Sequence, residues 1–234
     1  MPKAAIKHPR GEATRAAILE EAEAVFAERG FDGTRLEEIA ERVGIRRPAI
    51  SYYFVGKEAL YDAVLEALVG GLYERIRVVL ERPVSLLERI EAAVTTWVDY
   101  VGARPTFARI LLREVAAGQG GRIPGIARHI EPFFDLVRRL EAESEGDPLA
   151  DDSPINAVHF ASTIAGSTIF LVAAIPVLVP GSGFSRLDDE ELAAHRAETL
   201  RVTRRLLGIR PARTQLERKK RPRASESKAD DTGP

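Results

Sequence analysis

The sequence predicts an all-α protein of about nine helices, arranged as a small N-terminal three-helix unit and a larger helical bundle. Apolar residues recur at helical spacing along most of the chain, and glycines or prolines interrupt this pattern at intervals of about one helix length. No alternation typical of strands and no internal repeat stands out. At 234 residues and 45% hydrophobic content, the chain is long enough to bury a substantial core.

The helices define the expected domain limits. They are expected near residues 12–29, 36–43, 47–53, 57–81, 85–103, 106–117, 126–144, 155–178 and 189–208. Residues 1–11 are then a flexible arm, 12–57 the small domain and 58–208 the bundle. From residue 209 onward, charge, proline and serine replace the apolar periodicity, which predicts a disordered tail.

Composition excludes several classes of protein. The chain has no cysteine, so disulfides and thiolate metal sites are excluded. Its formal net charge of −1 neither supports nor excludes a nucleic-acid partner, so the placement of the basic residues matters more. The N-terminal residues contain no apolar run typical of a secretory signal, and a cytoplasmic location is therefore expected.

The first three helices share one small core. Their apolar faces contain Ile18, Ala22, Val25, Phe26, Leu36, Ile39, Ala40, Val43, Ile45, Ala49 and Ile50. Thr34 and Glu37 have the spacing of a capping box at the start of the second helix. Gly44 suits the turn that follows, and Pro48 suits the first turn of the third helix, where a missing N–H is tolerated.

This unit has the pattern of a helix-turn-helix, in which the second helix of the motif presents polar side chains. That helix begins with Arg46 and Arg47, and Ser51, Tyr52 and Tyr53 follow the buried Ile50. Arginine can bind guanine through two hydrogen bonds in the major groove, while hydroxyls hold phosphates. A solvated helix face explains the same residues when they are considered alone.

The surrounding residues decide between these interpretations. The segments AVFAERGF (residues 24–31), TRLEEIAERVGI (34–45) and AISYYFVGKEAL (49–60) closely resemble the N-terminal signature of the TetR (tetracycline-repressor-like) family. The resemblance implies a homodimer that binds double-stranded operator DNA and is regulated, usually as a repressor, by a small effector bound in the C-terminal domain. The bundle itself resembles the family only in helix number, apolar content and length.

Carried over by position, the resemblance implies specific contacts with DNA. Arg46, Arg47 and Ala49 would face bases, Tyr53 and Lys57 would bind phosphates, and Thr34 would contact the DNA backbone. Tyr52 is expected to be partly in the core. Ser51 stands where the family usually has tyrosine, so a contact from this position to a phosphate or a thymine methyl group is expected to be weaker or missing.

The resemblance also implies an effector pocket among the helices of residues 85–178. Most aromatic residues there are expected to be ordinary core, but an apolar lining with a few polar groups favours a lipophilic effector. The candidate lining residues are Trp97, Tyr100, Val101, Phe107, Leu111, Arg113, Glu114, Phe133, Phe134, Val137, His159, Phe160, Thr163 and Ser167. The long helix 57–81 is the expected connection to the DNA, with a bend at Gly70 and Gly71.

An uncharged segment, residues 153–185, is long and apolar enough to raise the alternative of a membrane span. Its polar and small residues instead favour a helix buried by neighbours or by a subunit interface, with no membrane partner. We therefore expect the last two helices to form the dimer interface. The candidate interface residues are Ala157, Ala161, Ala165, Leu192, Leu200 and Leu207.

Enzyme chemistry finds little support in the sequence. The four histidines are far apart, and no phosphate-binding loop or nucleophile motif is present, so no catalytic residue, metal or cofactor is predicted. Glu191 and His195 have the spacing of metal ligands on one helix face, but an exposed polar pair is the simpler explanation. Two alternatives remain open: a DNA-binding protein without an effector, and an all-helical enzyme with a helix-turn-helix unit.

Overall fold

The computed structural model describes residues 9–117, 123–143, 157–180 and 188–209, and every regular element in these ranges is helical. The predicted arm (1–11) and tail (209–234) lie outside them except for residue 209 and for residues 9–11, and the latter are helical rather than part of an arm. Eleven helices are α1 (Pro9–Gly33), α2 (Leu36–Val43), α3 (Arg47–Tyr53), α4 (Gly56–Leu65), α5 (Gly71–Leu80), α6 (Leu86–Ala103), α7 (Pro105–Ala117), α8 (Ile123–Glu143), α9 (Ala157–Ile169), α10 (Ile175–Leu178) and α11 (Asp189–Leu206).

Two pairs of these helices are continuous rods. A π-helical turn, Glu66–Gly70, joins α4 to α5, and a second one, Phe170–Ala174, joins α9 to α10. Among the described residues the chain therefore forms nine rods, and the all-α fold class is confirmed. The first π turn ends directly before Gly71, while Gly70 and Gly71 both keep helical dihedral angles, so the predicted bend at this pair stays a prediction.

The three N-terminal helices and the start of α4 enclose a common apolar core. Ile18, Ala22, Val25, Ile39 and Ile50 have no exposed surface. Helix α1 is interrupted at Gly30, whose φ of 71° is accessible to glycine and unfavourable for other residues. The predicted end of the first helix at residue 29 is therefore confirmed as the end of its regular part.

The turn between α2 and α3 follows the predicted pattern. Gly44 has the left-handed conformation at the C-terminus of α2, and Pro48 lies in the first turn of α3. The predicted capping box is wrong: Arg35 is the N-cap of α2 and makes no side-chain cap. The Thr34 hydroxyl instead donates to the Gly30 carbonyl over 2.6 Å, which satisfies the interrupted end of α1.

Helix α6 lies at the centre of the C-terminal bundle and packs against α5, α9 and α11. Its N-terminus has a capping box formed by Ser85 and Glu88. Gly102 allows close packing with α11, because any larger side chain there would collide with Leu192. Helix α7 packs both on α1 and on α6 and the second π turn, so it connects the bundle with the N-terminal unit.

The rod formed by α9 and α10 is unusually exposed. Its segment Val158–Leu178 is long and apolar enough to cross a membrane by length and composition, yet only 17% of it is buried within the chain. One such helix is weak evidence for a membrane span. Of the two expected ways of burying this segment, neighbouring helices of the same chain supply only part, because its outer face, with Phe170 and Val177, is uncovered by the described residues.

Candidate nucleic-acid interface

Helix α3 presents a polar face to solvent above the small core. Ile50 anchors the helix and is fully buried, whereas Arg46, Arg47 and Ser51 are exposed. Ala49 is partly buried on the side next to the core. The exposed guanidinium groups therefore lie at the start of a short helix whose position is fixed by core packing, as recognition of base edges requires.

Arg47 has a partner within the motif. Its Nε lies 2.7 Å from Oε1 of Glu37 in α2, and both side chains are more than half exposed. An exposed ion pair of this kind contributes at most about 1 kcal/mol. The pair can therefore hold the Arg47 side chain near the surface of α2 and exchange readily for a base edge.

The two tyrosines of α3 differ from the prediction. Tyr52, which was expected to be partly in the core, is 85% exposed, because it lies on the outer face of the helix. Tyr53 is half-buried and packs against the core, and the two rings meet edge to face with centroids 5.2 Å apart. The more accessible hydroxyl for a phosphate is therefore that of Tyr52.

The predicted backbone contact by Thr34 also needs correction. Its side chain is only 2% exposed, and its hydroxyl is already committed to Gly30. The ammonium of Lys57 lies at the same turn, where it donates to the carbonyls of Phe31 at 2.8 Å and Thr34 at 3.0 Å. Its Nζ also lies 4.4 Å from the centre of the Phe31 ring. Lys57 therefore fixes the turn between α1 and α2, a structural role that the sequence did not reveal.

An ion-pair network fixes α2 against α1. Arg42 binds Glu28 of α1 through two hydrogen bonds of 3.2 and 2.7 Å, and it also binds Glu38 on its own helix. Arg29 of α1 pairs with Glu38 as well. The hydrogen bond from Arg42 holds the pKa of the Glu28 carboxyl below its usual value, although burial opposes this shift.

Helix α7 connects the bundle to α1 through polar contacts. The Arg113 guanidinium donates to the carbonyls of Ala27 at 3.1 Å and Glu28 at 2.8 Å, where α1 ends. At the other end of α7, the Thr106 hydroxyl donates to the Glu23 carboxylate. Arg113 was predicted to line the effector pocket; its guanidinium instead binds carbonyls at the end of α1, where helical partners are missing.

A second contact between the two domains is a buried hydrogen bond. The Tyr61 hydroxyl of α4 donates to Oε1 of Glu114 over 2.6 Å, and Glu114 is only 6% exposed. The Tyr61 ring meets Phe26 and Phe31 edge to face, with centroids 4.7 and 5.2 Å away. Oε2 of Glu114 and Nε1 of Trp97 are buried and have no hydrogen-bond partner among the described residues.

The structure brings together only part of the predicted effector set. Tyr100, Val101 and Phe107 are buried, Trp97 and Leu111 pack at the edge of the same core, and the Trp97 and Phe107 rings meet edge to face. The Tyr100 hydroxyl donates to the Leu68 carbonyl over 2.7 Å, which fixes the first π turn against α6. This group of aromatic residues and Glu114 form one cluster around α6 and α7.

The remaining predicted residues lie elsewhere. On α8, Phe133 packs against Tyr73, Phe134 is 44% exposed, and the Val137 side chain lies outside the described residues. On α9, Phe160 is half-buried, whereas His159, Thr163 and Ser167 are exposed. The Thr163 and Ser167 hydroxyls donate to carbonyls of their own helix. The described residues therefore do not enclose His159, Thr163 and Ser167, and their place in an effector pocket stays a prediction.

Helix α8 is attached to the long rod by a histidine that sequence analysis did not select. Nδ1 of His129 lies 2.9 Å from the Glu66 carboxylate and Nε2 lies 3.3 Å from the Asp62 carboxylate. Arg128 also pairs with Asp62. Only the i,i+4 spacing of the two acids was visible in the sequence, so the histidine 63 residues after Glu66 could not be assigned to them.

The candidate dimer residues differ in accessibility. Ala161 is exposed and Ala165, Leu200 and Leu207 are partly exposed, whereas the Ala157 side chain lies outside the described residues. Leu192 is also partly exposed, and it covers Gly102 of the same chain. Val177 and Leu178, which were not selected, are more exposed than any of these leucines.

Glu191 and His195 are neither metal ligands nor an exposed pair. Glu191 closes a capping box with Asp188 at the start of α11. His195 is half-buried with Nε2 3.1 Å from the Thr168 hydroxyl, and burial lowers the pKa of its imidazole. Within the described residues, no group of three or more His, Asp or Glu side chains could hold a metal ion.

Comparison with known proteins agrees with this geometry. Residues 18–64 match the family model of bacterial regulatory proteins, tetR family. This segment begins within α1 and ends within α4, so it contains the complete helix-turn-helix and its supporting core.

Named relatives match part of the chain. The chain is 34% identical over 93 residues to the HTH-type transcriptional activator FasR of Mycolicibacterium smegmatis, covering 40% of this chain and 42% of FasR. It is 36% identical over 109 residues to the HTH-type transcriptional regulator RutR of Escherichia coli K12, covering 45% and 50%. The chain thus spans half or less of the length of these relatives, both of which are named as regulators rather than enzymes.

Solved structures extend the likeness of the fold to the bundle. The fatty acid degradation regulator FadR of Bacillus halodurans aligns with a TM-score of 0.63 at 17% identity, covering 83% of this chain and 96% of FadR. The ketosteroid regulator KstR2 of Mycobacterium tuberculosis aligns with a TM-score of 0.60 at 19% identity, covering 83% and 93%. The match to the tetR family model thus covers the helix-turn-helix and its supporting core in residues 18–64, and the likeness of the bundle to the solved structures is one of fold.

Proposed function

We propose that this protein is a dimeric, sequence-specific DNA-binding regulator of the cytoplasm, a repressor that a small lipophilic effector releases from a palindromic operator. The observation that carries the proposal is the start of α3, where Arg46 and Arg47 are exposed above the fully buried Ile50. A short helix with this arrangement fits the major groove, and its arginines can distinguish guanine from other bases.

The exposed apolar rod supports a dimer. Phe170, Val177 and Leu178 are each more than half exposed, and no charged residue interrupts the segment. A contiguous apolar surface of this kind is typical of a protein interface. Because a two-fold dimer pairs the same surface on both subunits, α9, α10 and α11 form the proposed contact. Sedimentation should therefore show a dimer at micromolar concentration, and a monomer would contradict this part of the proposal.

The proposed release acts through the spacing of the two recognition helices. Two half-sites one turn of DNA apart require α3 and its counterpart to lie about 34–36 Å apart, so a shift of a few ångströms removes one set of contacts. The rod of α4 and α5 runs from the helix-turn-helix into the bundle. Tyr100 contacts it at the π turn and His129 contacts it at Asp62 and Glu66, so a ligand that moves α6 or α8 also moves this rod.

The apolar and aromatic character of the bundle supports a lipophilic effector. Buried Tyr100, Phe107 and Val101 surround the part of α6 and α7 where the candidate site lies. Two proteins of similar fold support the same class of ligand: FadR of Bacillus subtilis was solved with stearoyl-CoA, and KstR2 is a ketosteroid regulator.

Selection of bound sequences from random double-stranded DNA tests the proposal. The wild-type protein should recover a palindrome with half-sites about one helical turn apart. A variant with Arg46→Ala and Arg47→Ala should recover no preferred sequence, while its folding and its dimer remain intact. Recovery of a non-palindromic sequence, or of the same palindrome by the variant, would contradict recognition by α3.

A further inference from the structure

A buried carboxylate lies at the junction of the two domains, and only one of its two oxygens accepts a hydrogen bond from the described residues. Glu114 is 6% exposed, and its Oε1 accepts a hydrogen bond from Tyr61. Its Oε2 is fully buried and has no hydrogen-bond donor among the described residues. A buried oxygen without a donor is strongly unfavourable, and more so when the group is charged.

The surroundings of Glu114 do not supply a compensating charge. The adjacent Arg113 guanidinium is turned away and bound to the carbonyls of Ala27 and Glu28. No basic side chain in the described part of the chain pairs with Glu114. Phe107 and Ile110, which precede it on α7, are buried and apolar. The site therefore favours a partner that is apolar over most of its surface and donates a hydrogen bond at one point.

From this arrangement we infer that the effector is a non-anionic lipophilic molecule that presents a hydroxyl or protonated amine to Oε2 of Glu114. The inference rests on the effector-release function proposed above and specifies its ligand. A carboxylate or phosphate at this position would meet a like charge in an apolar environment and be excluded. A hydroxyl or ammonium would satisfy the unused oxygen.

The position of Glu114 also connects such a ligand to the DNA-binding domain. Its other oxygen binds Tyr61, whose ring lies against Phe31, and the Phe31 ring lies 4.4 Å from Nζ of Lys57. Lys57 in turn holds the turn that precedes α2. A donor that draws the Glu114 carboxylate away from Tyr61 therefore acts on packed groups that reach the base of the helix-turn-helix.

Three probes with the same ten-carbon chain test the inference: decylammonium, 1-decanol and decanoate. Trp97 is the only tryptophan and its ring lies against Phe107, so its fluorescence reports binding near α7. For the wild-type protein we expect decylammonium and 1-decanol to bind at least about tenfold more tightly than decanoate. Equal affinities for the three probes, tighter binding of decanoate, or no binding by any of them would overturn the inference.

The variant Glu114→Gln separates the carboxylate from the shape of the site. The amide can keep its carbonyl toward the Tyr61 hydroxyl and turn its NH₂ toward the ligand, so a hydrogen-bond acceptor is replaced by a donor. Affinity for decylammonium should then fall about tenfold, that for decanoate should rise, and that for 1-decanol should change little. An unchanged order of affinities would exclude contact between the probes and Glu114.

Glu131→Gln is the matched control, because it removes the same charge from an exposed position of α8. It should leave all three affinities unchanged, and thermal melting should show that both variants fold. Operator binding is measured separately by gel shift. Loss of the probe preference with intact operator binding would refute the inference alone, whereas loss of sequence-specific DNA binding in the wild type would refute the proposed function.

Discussion

The DNA-binding domain and its junction with the bundle depend on different kinds of contact. In the helix-turn-helix, the residues that present Arg46 and Arg47 are close in sequence: Gly44, Pro48 and Ile50 fix the turn and the helix. At the junction, Tyr61 meets Glu114 across 53 residues and Arg113 meets Ala27 across 86. The proposed recognition surface is therefore specified by residues close in sequence, whereas its contacts with the bundle are specified by tertiary packing.

Lys57→Ala should have the largest effect, because Lys57 holds the turn before α2 and is also the predicted phosphate contact. Lys57→Ala leaves the carbonyls of Phe31 and Thr34 without their charged donor, so we expect the free energy of unfolding to fall by about 2–3 kcal/mol. DNA affinity should fall for all sequences alike. Urea denaturation measures the first effect, with Arg82→Ala as a control that removes one exposed positive charge. Unchanged stability would contradict the structural role of Lys57 at the turn and leave the phosphate contact as its one predicted role.

Arg47→Ala should act on recognition alone. Loss of a base contact is expected to weaken operator binding by about 1–3 kcal/mol and to leave binding to random DNA almost unchanged. Fluorescence anisotropy with both DNAs measures the difference. If affinity for the two DNAs fell equally, Arg47 would be a phosphate contact and the base-facing assignment would be wrong.

Arg113→Ala tests the junction between the helix-turn-helix and the bundle. Removal of the guanidinium frees two carbonyls at the end of α1, with an expected loss of about 1 kcal/mol of stability because the site is partly exposed. Operator affinity should be kept while its response to a bound effector becomes smaller. Arg109→Ala, an exposed arginine on the same helix, is the control. An unaltered effector response would remove Arg113 from the coupling.

His195 predicts a modest dependence of stability on pH within the bundle. Burial lowers the pKa of its imidazole below the ordinary value of 6.5, so the folded state favours the neutral form. The associated stability is complete above pH 6.5 and is lost as the pH falls through the lowered pKa. Melting curves should therefore fall slightly on acidification, and His195→Gln should flatten this slope. A slope that persists in the variant would have another origin.

Glu37→Gln should have the smallest effect. It removes the ion pair that holds Arg47 and a negative charge near the DNA surface. Because such a pair contributes at most about 1 kcal/mol, operator affinity should rise by no more than about fivefold. A weaker operator complex, seen in the same anisotropy assay, would show that Glu37 orients Arg47 for binding.

These contrasts also explain what the sequence could predict. The nine rods, the Gly44 turn and the Pro48 helix start follow from spacing within a few residues, and they were found at the expected places. The predicted capping box does not form, because the Thr34 hydroxyl donates to the nearby Gly30 carbonyl instead. The roles of His129 and Arg113 could not be predicted, since each depends on which carboxylate or carbonyl another helix brings within reach.

The measurement that tests the central claim most directly is the affinity for operator DNA with and without saturating 1-decanol. If the two domains form one allosteric unit, the alcohol should weaken operator binding by about 5- to 150-fold. Linkage also requires the operator to weaken the binding of 1-decanol by the same factor. Identical operator affinities in the presence and absence of bound alcohol would contradict the coupling through Glu114 and Tyr61.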